Sequence, residues 1–233
     1  MREGEQKMRY TRCREAVFLA RPNRFIARVI LDGTEISVHV KNTGRCRELL
    51  LPGAKVILSQ GNNPARKTKY DLVAVWKGEL LVNLDAQAPN VLAAEYLPRS
   101  GLFAPHAHIR PEYTHGDSRF DFYIEEDERK HLMEAKGVTL EERGHAFFPD
   151  APTQRGVKHI NGLIRALDEG FESWLFFVVQ MEGMTAFSPN DRTHPAFGEA
   201  LRRANEAGVH LLAMGCQVDT NGAKITYPIP ILL

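Results

Sequence analysis

Two short alternating segments joined by a charged turn constrain the fold of this chain most: Ser118-Arg119-Phe120-Asp121-Phe122-Tyr123-Ile124 and His131-Leu132-Met133-Glu134-Ala135-Lys136. Each reads as a β-strand, and the acidic stretch of residues 125–130 is short enough for a hairpin, which predicts antiparallel neighbours. Side chains alternate faces along a strand, so Glu134 and Lys136 share a face about 7 Å apart, with Met133 and Ala135 opposite. On the first strand Arg119, Asp121 and Tyr123 lie together, opposite Phe120, Phe122 and Ile124. A register that sets Asp121 beside Glu134 gathers two carboxylates and an ammonium in one small volume. Two anionic oxygen donors can hold Mg²⁺ or Mn²⁺ with waters in the other positions, and the lysine can orient water or balance charge on a phosphate. The pattern E-x-K alone is a common chance match. Its context adds weight, because Leu132 and Val138 flank Glu134 and an unpaired charge between them would be costly.

At 233 residues and 25% charged, the chain has room for one large core or two modest ones. No apolar run approaches the roughly 20 residues of a membrane span. Residues 1–14 are charged throughout and lack the apolar stretch of a secretory signal. Cys13, Cys46 and Cys216 are odd in number and far apart, with neither a disulfide framework nor zinc spacing. The expectation is a cytoplasmic protein with no membrane partner, its oligomeric state open. The net charge of +1 hides an asymmetry: residues 1–84 carry 16 Lys and Arg against 8 Asp and Glu, and residues 85–233 carry 14 against 21. A basic module beside an acidic one fits a protein in which one part attracts a polyanion and the other gathers cations, although charge also clusters by domain without function.

Residues 1–84 read as five short strands, at 16–20, 25–31, 35–40, 54–59 and 72–76, the count for a small barrel. Between the third and fourth, residues 42–53 end in a short predicted helix closed by Pro52-Gly53. Three strands, a helix and two strands is the order of an OB-fold, whose face commonly meets oligonucleotides or oligosaccharides. Candidate nucleic-acid contacts are Arg21, Arg24, Arg45, Arg47, Arg66, Lys67 and Lys69, with Phe25 and Tyr70 available for stacking. The loop of residues 62–70 is a basic finger or a solvated loop with equal weight.

After a linker at residues 85–89, Asn90 is expected to cap a helix over 91–97 that carries Glu95. A strand at 107–113 precedes the Asp121 and Glu134 strands. Thr153 or Asp150 then opens a helix with Val157, Ile160, Leu163, Ile164 and Leu167 at helical spacing, ended by Gly170. Residues 174–180 form a buried strand. Pro195 starts a second amphipathic helix, with Phe197, Leu201 and Ala204 inward and Gly208 at its end, and residues 209–214 form the last strand.

Asn42-Thr43-Gly44-Arg45, Ser118-Arg119-Phe120-Asp121-Phe122, Glu134-Ala135-Lys136-Gly137-Val138-Thr139-Leu140, Phe148-Pro149-Asp150-Ala151, Arg155-Gly156 with His159, and Phe176-Phe177-Val178-Val179-Gln180 resemble the sugar fermentation stimulation protein A family of bacteria and archaea, over nearly the whole chain. The resemblance implies an N-terminal OB-fold-like β-barrel (residues 1–84) followed by a PD-(D/E)xK nuclease-like α/β domain with a mixed central sheet (residues 85–233), and DNA as partner. Carried over by position, it implies Asp121, Glu134 and Lys136 as the catalytic core, Glu95 as a further metal ligand, and Gln154 or Arg155 as phosphate-facing groups. The proline that names the superfamily is absent before Asp121, and Gly137 stands where a serine often follows the lysine.

Other constellations carry less. His106, His108 and His115 are close in sequence and His106-x-His108 can put two imidazoles on one strand face, but no cysteine is near, and polar strand residues at the cleft rim are the plainer reading. His159 is equally a site residue or a structural one. No Gly-rich phosphate loop or Ser/His/Asp order is present, which disfavours nucleotide hydrolysis and acyl transfer. The expectation is therefore a DNA-binding protein with a Mg²⁺- or Mn²⁺-dependent phosphodiester-cleaving site. The alternatives are a non-catalytic DNA-binding regulator of sugar metabolism genes and a sensor of sugars or acidic metabolites.

Overall fold

Alternating apolar residues close the first module into a barrel in the computed structural model, which describes residues 8–61 and 65–233. Residues 1–7 of the charged N-terminal stretch and 62–64 of the basic loop lie outside the described residues. The first seven strands are β1 (Met8–Arg9), β2 (Arg14–Asn23), β3 (Ile26–Leu31), β4 (Thr34–Val40), β5 (Lys55–Gln60), β6 (Tyr70–Lys77) and β7 (Leu80–Asn83). Strand β4 pairs in parallel with β6 at His39↔Asp71 and Val40↔Leu72, which closes β2 to β6 into the five-stranded OB barrel that the strand count predicts. Along β3, Ala27, Val29 and Leu31 point into the barrel core with Phe18, Val38, Leu58 and Leu72, while Arg28 and Ile30 face out. The β3–β4 turn uses Asp32 and Gly33, both at positive φ, as a tight hairpin requires. The expected helix near residue 50 is a single turn instead. Leu50 N–H donates to Cys46 O at 2.9 Å, and Pro52 stops the chain from continuing it.

The second module comprises α1 (Ala88–Tyr96), β8 (His108–His115), β9 (Ser118–Glu126), β10 (Arg129–Val138), β11 (Leu140–Glu142), β12 (His145–Phe148), α2 (Gln154–Asp168), β13 (Glu172–Val179), β14 (Ala186–Pro189), α3 (Pro195–Ala207), β15 (His210–Asp219) and β16 (Gly222–Pro228). Its main sheet runs β1-β16-β15-β13-β10-β9-β8. The central strands β10, β13 and β15 are parallel and the outer ones antiparallel, which makes the sheet mixed, as expected. Helices cover both faces, so β13 is apolar at every position near its end. Phe177 and Val179 pack with Ile160 and Leu163 of α2 and Phe197 and Leu201 of α3, while Phe176 and Val178 pack with Leu92 and Ala93 of α1 and Leu97 just past its end. A fully buried side chain of this size contributes roughly 1.5–3 kcal/mol relative to exposure.

Strand β1 lies in this second sheet, paired with β16 at Met8↔Ala223, although the barrel follows it in the chain. A small sheet, β11-β12-β14, sits beside the main one. The helix ends follow the local chemistry. Thr153 caps α2 by accepting Gly156 N–H, Gly170 adopts positive φ just past it, and Gly208 closes α3 in the left-handed region. Asn90 does not cap α1, which starts two residues earlier at Ala88 with Pro89 in its first turn. No helix among the described residues is long and apolar enough to cross a membrane.

Candidate functional site

The hairpin pair β9 and β10 runs in register as far as Phe122↔Met133 and then parts. One step further along that register sets Asp121 opposite Glu134. Because the ladder has ended, Ala135 N–H has no strand partner on that side, and Asp121 Oδ2 accepts it at 2.8 Å. Asp121 Oδ1 accepts a hydrogen bond from Asn90 Nδ2 at 2.7 Å, so the first turn of α1 holds the same carboxylate from above. The fork also changes the faces of β9. Phe120 packs with Tyr123 on the α2 side, against Gly162, while Phe122 and Ile124 pack on the α1 side. The expected grouping of Phe120 with Phe122 and Ile124 thus fails at Asp121, where β9 parts from β10 and its pairing with β8 skips from Pro111↔Phe122 to Tyr113↔Phe120 around Glu112 at positive φ.

Glu134 is buried on β10. Its Oε1 accepts from two donors, Lys136 Nζ and His159 Nδ1 of α2. Its Oε2 is buried and has no hydrogen-bond partner among the described residues. The two carboxyls are biased in opposite directions. Burial pushes Asp121 up, the nearby charge of Glu134 adds to this, and the Ala135, Asn90 and Lys136 interactions only partly oppose it. Burial also pushes Glu134 up, but His159 and Lys136 outweigh it and hold the group below its ordinary value. A pair of neighbouring acids driven apart in this way is the arrangement by which a site keeps one carboxylate firmly ionised and the other responsive.

These groups line one cleft of about 260 Å³, walled by Ala86, Pro89 and Asn90 on one side and Thr153, Arg155 and Gly156 of the α2 N-terminus on the other. Asp121, Glu134, Lys136 and Arg155 are brought together there. Gln154 is not; its amide faces His194 Nε2 at 3.4 Å. Glu95 is not among the lining residues either. It lies five positions after Asn90, about 140° around the helix. His159, left open by sequence, touches Glu134 directly. The roles of Asn90 and His159 are not evident from sequence; the helical offset of His159 from Arg155, one turn on the same face, is the signal available for it. Among the described residues no three His, Cys, Asp or Glu side chains converge as a metal-ligand set, so His106 and His108 form none. The donors present are hard carboxylate oxygens, one of them buried and unpartnered, which suits a small divalent cation completed by water or backbone oxygen.

Residues 19–84 match the SfsA N-terminal OB domain, and residues 87–222 match the sugar fermentation stimulation protein RE domain. A sugar fermentation stimulation protein homolog of Desulfitobacterium hafniense (strain Y51) is 53% identical over 217 residues, 93% of this chain and 95% of that protein. One from Clostridium beijerinckii is 44% identical over 226 residues, 97% of this chain and all of that protein. The chain belongs to the SfsA family. The solved structure of Pyrococcus furiosus SfsA in complex with Ca²⁺ matches with a TM-score of 0.88 at 25% identity, over 98% of this chain and 100% of that one.

The barrel presents a second hollow, of about 340 Å³, lined by Arg21, Arg24, Arg45 and Arg47 with Asn23, Thr43, Gly44 and Leu50. Arg21 holds the loop rather than facing outward: its guanidinium donates to the carbonyls of Arg24, Asn42, Gly44 and Arg45. Arg24, Arg45 and Arg47 are exposed and have no ion-pair partner among the described residues. Phe25 is exposed beside them, with the Arg24 guanidinium 4.7 Å over its ring, whereas Tyr70 is buried in the barrel and cannot stack on a ligand. In the basic loop Arg66 is committed to Asp71, with Nη1 2.8 Å from Oδ2, while Lys67 and Lys69 are exposed.

The hollow and the cleft are joined through the linker that follows β7. Asn42 Nδ2 donates to Leu84 O at 2.9 Å, Ala86 N–H donates to Lys41 O at 2.8 Å, and Lys41 Nζ pairs with buried Asp85 at 2.7 Å. Gln180, at the end of β13, donates to Asn83 Oδ1 and to the carbonyls of Asn83 and Asp85. Gly137 is required where it stands, because a Cβ there would lie 2.3 Å from Gln180 Oε1 and 2.7 Å from Pro89 Cγ. That explains why the residue after Lys136 is glycine rather than serine.

Proposed function

We propose that this SfsA-family protein binds DNA across the basic barrel and cleaves phosphodiester bonds in the Asp121–Glu134 cleft with the help of Mg²⁺ or Mn²⁺. The reading is supported above all by Glu134, whose Oε1 is held by two donors while its buried Oε2 has none. A buried carboxylate oxygen left unpaired is costly, and a cation relieves that cost. The Pyrococcus furiosus relative is in complex with Ca²⁺, an ion of the same oxygen-seeking class.

Asp121 and Glu134 would hold the cation, which when bound activates water and offsets charge on a phosphate. Asn90 and Ala135 N–H fix the orientation of Asp121. Lys136, beside Glu134, is placed to turn its ammonium from that carboxylate to an incoming phosphate or attacking water. Arg155 and the N–H groups of the first turn of α2 offer positive potential to the same phosphate. Arg24, Arg45 and Arg47 extend that positive surface onto the barrel, where phosphate contacts position a strand without reading its sequence. The direct test incubates the purified protein with single-stranded, double-stranded and branched DNA, with Mg²⁺, Mn²⁺ or chelator. Cleavage that requires the ion and is lost in Asp121→Asn supports the reading; no cleavage of any substrate removes its enzymatic half.

A second reading, a non-catalytic DNA-binding regulator, draws on the cleft's two acidic side chains, which no third metal-ligating group joins among the described residues. It keeps the barrel contacts and drops the hydrolysis, and the same experiment separates the two.

A further inference from the structure

His159 is buried and sits between two groups of the cleft. Its Nδ1 meets Glu134 Oε1, and Arg155 Nε approaches its Nε2 at 3.4 Å. Those contacts assign the tautomer: Nε2 accepts from the guanidinium, so Nδ1 carries the hydrogen and donates to the carboxylate. The ring is further fixed by the edge of Phe120, with centroids 6.2 Å apart at 62°. Lys136 also donates to Oε1, but it differs in kind. It is a flexible ammonium on the cleft wall, whereas His159 is a planar ring locked in the α2 core.

We infer that His159 is a positioning residue: by holding Oε1 from the protein side it fixes the Glu134 carboxylate so that Oε2 stays open for a divalent cation, and it does so without Lys136. The inference rests on the cation reading above and adds a division of labour to it. Lys136 can leave Glu134 for a phosphate because His159 keeps the carboxylate in place. Imidazoles and amides that orient a metal-holding carboxylate typically change metal affinity by about ten- to a hundredfold when removed.

The test is titration of Mn²⁺ alone, without nucleic acid, into the full chain, by calorimetry or by electron paramagnetic resonance, with thermal unfolding as a check on the fold. His159→Asn keeps an amide N–H near the position of Nδ1, whereas His159→Gln moves it toward Nε2 and His159→Ala removes it. Expected is a loss of Mn²⁺ affinity of about tenfold or more in the Ala and Gln variants, with Asn within about threefold of wild type. Wild-type affinity in a folded His159→Ala variant would overturn the inference, and so would an Asn variant as weak as Gln. Should the Ala variant not fold, the ranking of Asn against Gln decides alone. Failure of the wild-type protein to bind Mn²⁺ would overturn the cation reading and this inference with it, and is told apart because no variant is then needed.

Discussion

Asp121 Oδ2 accepts the backbone N–H of Ala135 at 2.8 Å, filling the acceptor place that the parted strand β9 no longer supplies. The carboxylate therefore has a structural role in a position where its charge is disfavoured. Burial first, and then the neighbouring charge of Glu134, raise its pKa.

Asp121→Asn should consequently retain the fold and unfold at a higher temperature near neutral pH, by roughly 1 kcal/mol of stability, since the new amide oxygen still accepts Ala135 N–H, the exposed Asn90 amide can turn its oxygen toward the new NH₂, and the buried charge is removed. The sign with pH follows from the raised pKa. Ionised Asp121 destabilises the folded chain at neutral pH, the penalty fades as pH falls through the raised value, and it is gone below the unfolded value of about 3.9. Thermal melts of both proteins from pH 7 to pH 4 should converge. A variant less stable than wild type at pH 7 would contradict this account.

Glu134→Gln should behave in the opposite way. Glu134 is held below its ordinary pKa because His159 and Lys136 outweigh its burial. Its ionised form stabilises the fold above the unfolded value and loses that contribution as pH falls through the lowered one. Neutralising it leaves the Lys136 ammonium without its anion, at a cost of about 1–3 kcal/mol. Urea denaturation at pH 7 measures the difference, and a midpoint equal to wild type would count against the pairing.

The close approach at Gly137 makes a steric prediction. Gly137→Ser should destabilise by roughly 1–3 kcal/mol, because the new Cβ meets Gln180 and Pro89. Pairing the substitution with Gln180→Ala should recover part of that stability. Strict additivity of the two in denaturation experiments would show that the collision is not the cause.

DNA affinity should fall steeply with salt, by release of counterions from phosphates. Charge reversal of Arg45 and Arg47 should lower affinity and reduce the salt slope by about one for each phosphate no longer neutralised. Reversal of Lys67 and Lys69 should do less, since Arg66 beside them is already bound to Asp71. Filter binding or fluorescence anisotropy at several salt concentrations would rank them. Equal effects from both pairs would shift the binding surface toward the loop.

What can be read from sequence depends on which physical signal is local. The barrel strands announce themselves by alternation, and the α2 and α3 faces by helical spacing with Thr153, Gly170 and Gly208 at their ends. The Asp121–Glu134 pairing is legible because a hairpin fixes register. Strands β11, β12 and β14 have only three or four residues each and give no period to detect. Strand β16 does carry a signal, Asn221-Gly222 after an apolar strand, with Ala223 and Ile225 alternating inward. The partners of Arg21, Arg66 and His159 are set by the folded chain rather than by local pattern. Positive charge marks the first two as ligand contacts, yet hydrogen bonds within the fold already engage them.

The pairing of Met8 and Arg9 with β16 gives the barrel the standing of an insertion within the second module. The polypeptide crosses between the modules on its way in and again on its way out. A fragment beginning at Asp85 would leave the backbone groups of β16 bare along Gly222 and Ala223, an open edge of the kind that recruits neighbouring chains into extended sheets. Separated halves of this protein should therefore be prone to self-association, and dissection is better done by point substitution within the intact chain than by truncation at the linker.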